Sequence, residues 1–319
     1  MRLLAFLLLA SAQAALAQPQ VYPVRPITLV IPFAPNGAAD ITGRLLAERM
    51  SGVLQQPVVV QNRPGRGGMI ATTQVSGAPA DGYTLLYVTS ATFVVAPLFE
   101  RIPKYDPLSS FEPITLVSFV KSVIAVNPAV PAKNLDELMA LLKASPGKYR
   151  YATSGPGGHS YMTGELFKTQ TGMDIVDVPF RGPIAAVEAV ASGNADILFE
   201  LAVLSRKAAA DGRVRPIVTM GFEREPLFPQ VPATAELGMR DLTSYFWGGI
   251  VAPAGTPPTI VEVINRAVRS VLSEMEAQAT FLRYSMQAET STPQEFHNLI
   301  QGELTKWSRV VPLSATAPR

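Results

Sequence analysis

The feature that most constrains the fold is a regular alternation of short apolar segments with helical ones. ITLVI at residues 27–31 is β-branched and apolar, which predicts a buried strand, and the following ITGRLLAERM has the spacing of a helix. Further strand-like segments are VVVQN, YTLLYVTS, FEPITLVSFVKSVIAVN, YRYATS, IVDVPF, DILFE and VRPIVTM. Strands that alternate with helices are typical of α/β layers with mainly parallel sheets. The sequence therefore predicts an α/β fold.

The distribution of these segments indicates two domains. About three strands precede Phe111, about five or six lie between Ser118 and Val251, and helical sequence completes the chain. Because the final helices have no strands of their own, we expect them to pack back on the first sheet. We therefore predict a discontinuous first domain of residues 18–118 plus 252–319 and a second domain of residues 119–251.

The N-terminus has the pattern of a secretory signal peptide. Arg2 is followed by the apolar LLAFLLLASA and then by small residues at Ala15 and Ala17. This pattern predicts a signal peptide of residues 1–17, cleavage after Ala17 and export to the periplasm. The apolar run is short for a membrane span, so an uncleaved anchor is the weaker alternative.

Composition excludes several classes of site and partner. The chain has no cysteine, which excludes disulfides, zinc–thiolate sites, iron–sulfur clusters and cysteine nucleophiles. Its formal net charge is +2, and no basic run exceeds two residues, so a nucleic-acid partner has no electrostatic support. We expect no cofactor and no metal, and we expect a monomer.

Four loops of small residues follow predicted strands. They are PNGAAD at 35–40, TSAT at 89–92, TSGPGGHS at 153–160 and PFRGP at 179–183. In open α/β sheets, ligands bind beyond the carboxyl ends of the strands and against helix N-termini, where free N–H groups favour anions. The alternative is that glycine and proline serve only the turns. Four such loops from two domains favour a binding site for a carboxylate.

The sequence also resembles a known family. The segments that carry the resemblance are IPFAPNGAADITGRLLAERM, VVVQNRPGRGG, DGYTLLYVTS, YDPLSSFEPITLV, ASPGKYRYATSGPGGHSYMTGELF, VPFRG, VPATAELG and WGGIVAPAGTP. Together they are similar to the Bug family, the extracytoplasmic solute-binding receptors of tripartite tricarboxylate transporters. The resemblance implies a type II periplasmic-binding-protein fold, with two α/β domains and a ligand cleft between them. It also implies a small organic carboxylate as ligand, membrane transporter subunits as partners, and no catalysis.

The same resemblance implies that the ligand is held by residues of the four loops. These residues are Phe33, Asn36, Gly37, Ala38, Ala39, Asp40, Thr89, Ser90, Thr92, Thr153, Ser154, Gly155, Gly158, His159, Phe180, Arg181 and Gly182. The family usually has glycine where this chain has Asn36. Asparagine tolerates left-handed backbone angles better than most residues, so we expect the turn to persist.

Four of the polar residues have two possible roles each. Arg181 fits either a second ligand carboxylate or a solvated place at the cleft rim. Asp40 fits a ligand contact or a helix cap, and His159 fits a ligand contact or a satisfied residue of a first helical turn. Glu200 fits an acceptor for a ligand hydroxyl or ammonium group, or a partner within the protein.

Two further functions differ from a transport receptor. GHSYM at 158–162 begins like a nucleophile elbow, which suggests a secreted serine-dependent α/β hydrolase. Met162, however, replaces the second glycine, and the candidate base His159 is adjacent to its own serine. The other possibility is a sensory co-receptor of the same fold, whose partner is a membrane sensor. The prediction is a periplasmic receptor that closes two domains around a carboxylate and delivers it to a transporter.

Overall fold

The computed structural model describes residues 22–100, 104–155 and 157–315. This part of the chain contains nine strands. They are β1 (Ile27–Ile31), β2 (Val58–Asn62), β3 (Thr84–Thr89), β4 (Phe111–Val126), β5 (Arg150–Thr153), β6 (Val176–Pro179), β7 (Ile197–Leu201), β8 (Arg215–Met220) and β9 (Tyr245–Pro253). The predicted signal peptide lies outside the described residues.

Helices connect most of the strands, as the alternation predicted. They are α1 (Ala38–Leu54), α2 (Met69–Ser76), α3 (Ala96–Leu98), α4 (Leu135–Ala144), α5 (His159–Thr171), α6 (Pro183–Ala191), α7 (Ala202–Ala210), α8 (Pro258–Leu272), α9 (Met275–Arg283) and α10 (Pro293–Ala315). A 3₁₀ turn at Arg66–Gly68 and a π-helical segment at Ala91–Val95 complete the list. None of the helices in the described ranges combines the length and apolar character that a membrane span needs.

The strands form one hydrogen-bonded sheet with two parts. Its order is β2-β1-β3-β9-β4-β7-β5-β6, and β8 pairs with β4. The sequence predicted two sheets; they are joined because β4 is long enough to pair in both. Residues 111–121 of β4 pair with β9, whereas Ser122–Val126 pair with β7 and β8. The domain limits drawn from the sequence stay a prediction.

Both faces of the first part of the sheet are buried, as expected for strands covered by helices on both sides. The predicted parallel pairing holds only in part: β1 pairs in parallel with β2 and β3, whereas β9 pairs antiparallel with β3 and β4. Ile27, Leu29 and Ile31 point to a cluster that includes α1 and α8, while Val30 belongs to the core on the opposite face. The final helices do pack on this part, since α8 contacts α1 and β4. The prediction was incomplete for α10, which also contacts α5 of the second part.

Candidate ligand-binding site

Asp40 organises the loop between β1 and α1. Its carboxylate accepts hydrogen bonds from the Asn36 N–H (2.9 Å), the Arg44 Nε–H (2.9 Å) and the Asn62 side-chain amide (2.7 Å). Burial raises the pKa of this carboxyl group, but the three donors and the Arg44 charge outweigh burial and lower it below 3.8. Of the two roles that the sequence left open for Asp40, these contacts favour the one within the protein.

The loop that Asp40 holds is exposed from Ala34 to Ala38. Asn36 has a left-handed backbone with φ 69°, as its residue type suggested, and its own N–H is occupied by Asp40. Gly37, the N-cap of α1, has φ −80° and ψ 166°, which any residue adopts. A Cβ at Gly37 would meet only the Ala34 carbonyl oxygen, at 3.7 Å. Turn geometry therefore does not require this glycine, and its missing side chain leaves open space at the helix N-terminus.

The second predicted loop is helical from Ala91 onward. Thr89, Ser90 and Thr92 are all buried, and the hydroxyl oxygens of Thr89 and Thr92 lie 3.1 Å apart. The Thr92 N–H donates to Thr89 Oγ1 at 3.3 Å. Most of the polar groups of these two threonines therefore hold the start of the π-helical segment.

The loop between β5 and α5 is held by its own hydroxyl groups. Ser160 Oγ accepts from the Ser154 N–H at 2.9 Å and lies 3.1 Å from Ser154 Oγ. The Gly155 N–H donates to Thr153 Oγ1 at 3.2 Å. A Cβ at Gly158 would lie 2.2 Å from Ser154 Oγ and 3.0 Å from the Gly155 carbonyl oxygen. Close packing within the loop therefore requires glycine at position 158.

His159 connects this loop to the strands that join the two parts of the sheet. Its Nε2 lies 2.7 Å from Ser122 Oγ on β4, and the Ser122 hydroxyl donates to Ser244 Oγ, just before β9, at 3.3 Å. Burial and, to a smaller extent, the Lys306 charge together lower the pKa of His159 to about 4, so the imidazole is neutral at pH 7. Because His159 faces Ser122, it does not form the pair with Ser160 that the hydrolase hypothesis needs.

The fourth loop follows β6. Phe180 is partly buried and packs against a cluster of small residues that includes Ala152 and Ala186. Arg181 is exposed, and Gly182 caps α6 with φ 95°. The exposure of Arg181 favours the second of its two predicted roles, a solvated place at the rim of the cleft.

A cavity of about 330 Å³ brings together parts of the predicted site. It is lined by Phe33, Gly37, Ala38, Ala39, Tyr87, Thr89, Leu201, Leu204, Phe246, Tyr284, Ser285 and Met286. A space of about 30 Å³, large enough for one water, is lined in part by Ser90 and His159. The other predicted residues line neither space: Asn36, Asp40, Thr92, Thr153, Ser154, Gly155, Gly158, Phe180, Arg181 and Gly182.

Sequence reasoning missed most of the cavity's apolar wall. The sequence could have predicted Tyr87 as a cavity residue, because it lies two residues before Thr89 on β3 and therefore on the same face of the sheet. Tyr284 and Met286 come from the turn after α9, and nothing in their local sequence indicates a binding site. A larger groove of about 700 Å³ lies between α10 and the segment around Arg240, and it contains none of the predicted residues.

Glu200 is the penultimate residue of β7 and lies beside the β5–α5 loop. It is buried, its Oε1 accepts from the Leu201 N–H at 2.8 Å, and its Oε2 has no hydrogen-bond partner in the described part of the chain. Burial raises the pKa of Glu200 to about 7, against the opposing effects of the Leu201 N–H and the Ser160 hydroxyl. Across the described ranges, no three histidine, aspartate or glutamate side chains are grouped as a metal site would require.

Comparison with known proteins identifies the family. A family model described as tripartite tricarboxylate transporter family receptor matches residues 42–314. The protein BugT of Bordetella pertussis is 35% identical over 97% of this chain and 96% of its own length. The R. palustris protein Rpa4515, solved with adipate, is 29% identical with a TM-score of 0.69, covering 93% of this chain and 100% of its own.

A second solved structure, MatC from Rhodopseudomonas palustris with bound malate, is 30% identical with a TM-score of 0.67. The match covers 91% of this chain and 100% of MatC. The resemblance read from the sequence is therefore confirmed. This chain belongs to the tripartite tricarboxylate transporter receptor family of Bug-type proteins, and it has the two-domain α/β fold of their periplasmic solute-binding receptors.

Proposed function

We propose that this chain is an exported, monomeric receptor that captures a small organic carboxylate between two domains and delivers it to the membrane subunits of a tripartite transporter. The observation that carries the proposal is the cavity of about 330 Å³. Its wall combines Gly37 and Ala38 at the N-terminus of α1 with Leu201 and Phe246 from residues 119–251. The relatives solved with adipate and malate support a carboxylate as the ligand.

The geometry suggests how binding favours closure. Residues 18–118 and 252–319 form one domain in this proposal, residues 119–251 form the other, and β4 and β9 connect them. A ligand that contacts both walls of the cavity stabilises the arrangement in which the walls are close. At the first wall, the N-terminus of α1, whose N-cap Gly37 supplies no side-chain capping hydrogen bond, attracts the carboxylate.

Calorimetry with a panel of organic acids tests capture. We expect at least one carboxylate to bind, and Gly37→Val to weaken its binding by more than about tenfold, because the added side chain occupies space that the backbone leaves open. Gly77→Val is the matched control, since Gly77 has φ −98° and the nearest atom to its Cβ position is 4.0 Å away. Equal losses in both variants, or none in Gly37→Val, would contradict the proposed site.

Delivery and export need separate measurements. Uptake of the bound acid by cells that lack this protein should fall, whereas a sensory co-receptor would change gene expression without changing uptake. The mature protein should begin at Gln18, which N-terminal sequencing of the exported fraction measures directly.

We also infer that the protein is not an enzyme, because His159 faces Ser122 rather than Ser160. Hydrolysis of generic esters that disappears in Ser160→Ala would contradict this inference.

A further inference from the structure

The cavity in the cleft has an apolar wall opposite the α1 loop. Leu201 and Leu204 come from the end of β7 and the start of α7, Phe246 comes from β9, and Tyr284 and Met286 follow α9. Of the described residues that line the cavity, none carries a charge. The wall therefore offers a large surface for an uncharged group, and only the neutral hydroxyl groups of Tyr284 and Ser285 to replace the hydration of a second carboxylate.

The hydroxyl groups of Tyr284 and Ser285 line the cavity on the wall opposite α1, whereas backbone N–H groups of a helix N-terminus lie at the α1 end. Gly37 and Ala38 lie at the N-terminus of the 17-residue helix α1, and Thr89 ends the neighbouring strand β3. This end suits a single carboxylate.

The two arginines near the predicted loops, Arg44 and Arg181, do not line the cavity. Arg44 is bound to Asp40 and Asn62, while Arg181 is exposed and does not line the cavity. A second ligand carboxylate directed at the apolar wall would therefore lose its water without gaining a cationic partner.

The size of the cavity suits a ligand that has an apolar group, such as a ring or a chain, attached to its carboxylate. About 330 Å³ is at the small end of the range of roughly 300–1,000 Å³ for ligand pockets, and it exceeds what a short acid alone fills. An aromatic ring or a medium aliphatic chain next to the carboxylate would contact Leu204, Phe246 and Met286.

We propose that the ligand is an organic acid with one carboxylate and an uncharged apolar body, either aromatic or aliphatic, rather than a small di- or tricarboxylate. This proposal rests on the proposed function of carboxylate capture and specifies its substrate class. The carboxylate lies at the N-terminus of α1, and the body lies against the wall formed by Leu201, Leu204, Phe246, Tyr284 and Met286.

Two pairs of acids with the same skeleton test the proposal. Hexanoate and adipate differ by one terminal carboxylate, as do p-toluate and terephthalate. Calorimetry on the wild-type protein should show the monocarboxylate binding at least about tenfold tighter in at least one pair, with the dicarboxylate tighter in neither. Equal or tighter binding of the dicarboxylates would overturn this inference and leave carboxylate capture intact. If neither these acids nor a wider panel of carboxylates binds, both proposals fail.

A charge placed in the wall gives the second test. Leu204→Arg should weaken p-toluate binding by at least about tenfold and strengthen terephthalate binding, because the guanidinium pairs with the second carboxylate. Leu237→Arg is the control, since Leu237 is an exposed leucine outside the cavity. Circular dichroism verifies folding, and Leu204→Ser replaces the variant if the arginine prevents folding, with loss of p-toluate affinity expected. Unchanged affinities in a folded Leu204 variant would overturn the proposal.

Discussion

A buried carboxyl group lies beneath the loop on each side of the cleft, and the two groups have opposite pKa shifts. Asp40 and Glu200 are each 1% exposed. Asp40 accepts bonds from three donors, one of them an arginine, and its pKa is lowered. Glu200 accepts one N–H bond, its second oxygen has no partner among the described residues, and its pKa is raised to about 7.

The difference shows that burial alone does not decide the charge of these groups. Burial is the largest influence at both sites and raises both pKa values. At Asp40 the charged and neutral donors together exceed it, so the loop at α1 is organised around a stable negative charge. At Glu200 the donors are too few, so ionisation near neutral pH costs free energy.

The largest expected effect is the loss of the Asp40 charge. Asp40→Ala should lower the free energy of unfolding at pH 7 by about 2–4 kcal/mol, because the Asn36 N–H and the Asn62 amide lose their acceptor. Urea unfolding measures the change. The control is Asp211→Ala, which removes an exposed, solvent-screened ion pair with Lys207 and should cost much less than Asp40→Ala. Equal losses in the two variants would mean that Asp40 does not organise the loop.

Glu200→Gln should have an effect that depends on pH. The pKa of Glu200 is raised from 4.5 to about 7 in the folded protein, so its contribution to stability is fully present below about pH 4.5 and is lost as pH rises to about 7. At about pH 8 the variant should therefore be more stable than wild type, by at most about 3 kcal/mol. The advantage should vanish near pH 4.5.

Unfolding of both proteins across this pH range measures the Glu200 effect. His159 shifts the other way: its lowered pKa makes it stabilising above about 6.5, and that stability is lost as pH falls through about 4. His159 is present in both proteins, so its contribution cancels in the difference. A variant that is less stable at every pH would contradict the assigned burial of an ionisable Glu200.

The two loops also differ in why they contain glycine. Gly158→Ala should destabilise the protein by about 1–2 kcal/mol, because the Cβ would displace Ser154 from its contact with Ser160. Gly37→Ala should change stability by less than about 0.5 kcal/mol, since both its angles and its surroundings accept a side chain. Thermal unfolding of the two variants measures the difference. A stability loss in Gly37→Ala that matched the loss in Gly158→Ala would remove the distinction.

The sequence predicted those features of the two loops that depend on nearby residues, and it did not predict those that depend on residues far apart along the chain. Local patterns predicted β1 to β8, the helical character between and after them, and the positions of the four loops, but β9 was not among the strand segments named from the sequence. The two glycine-rich loops looked alike because residue types alone do not show which contacts form, and the contacts that tie each loop to the rest of the protein are not local in sequence. Asn62 reaches Asp40 across 22 residues, and Ser122 reaches His159 across 37.

The apolar wall of the cavity shows the same limit. Met286 lies far along the chain from Phe33, and both line the cavity only because α9 packs against α1 and α8 in the cluster that also contains β1. Charge and loop composition directed the sequence prediction to a carboxylate, and they contain no information about that wall. Ligand class therefore had to come from the folded arrangement.

The smallest expected effect concerns Asn36, whose left-handed backbone has φ 69°. Asn36→Gly should change the free energy of unfolding by less than about 0.5 kcal/mol, because asparagine is among the residues that adopt this conformation with little strain. Asn36→Ala should cost about 1 kcal/mol, since alanine has no such tolerance. Gln55, at the other end of α1 with φ 53°, is the control: Gln55→Gly should gain more stability than Asn36→Gly.

In all three variants ligand affinity should stay within about threefold of wild type. Asn36 directs its N–H to Asp40, and neither Asn36 nor Gln55 lines the cavity. A larger loss of affinity in Asn36→Gly, at unchanged stability, would mean that the asparagine amide contacts the ligand in the closed form.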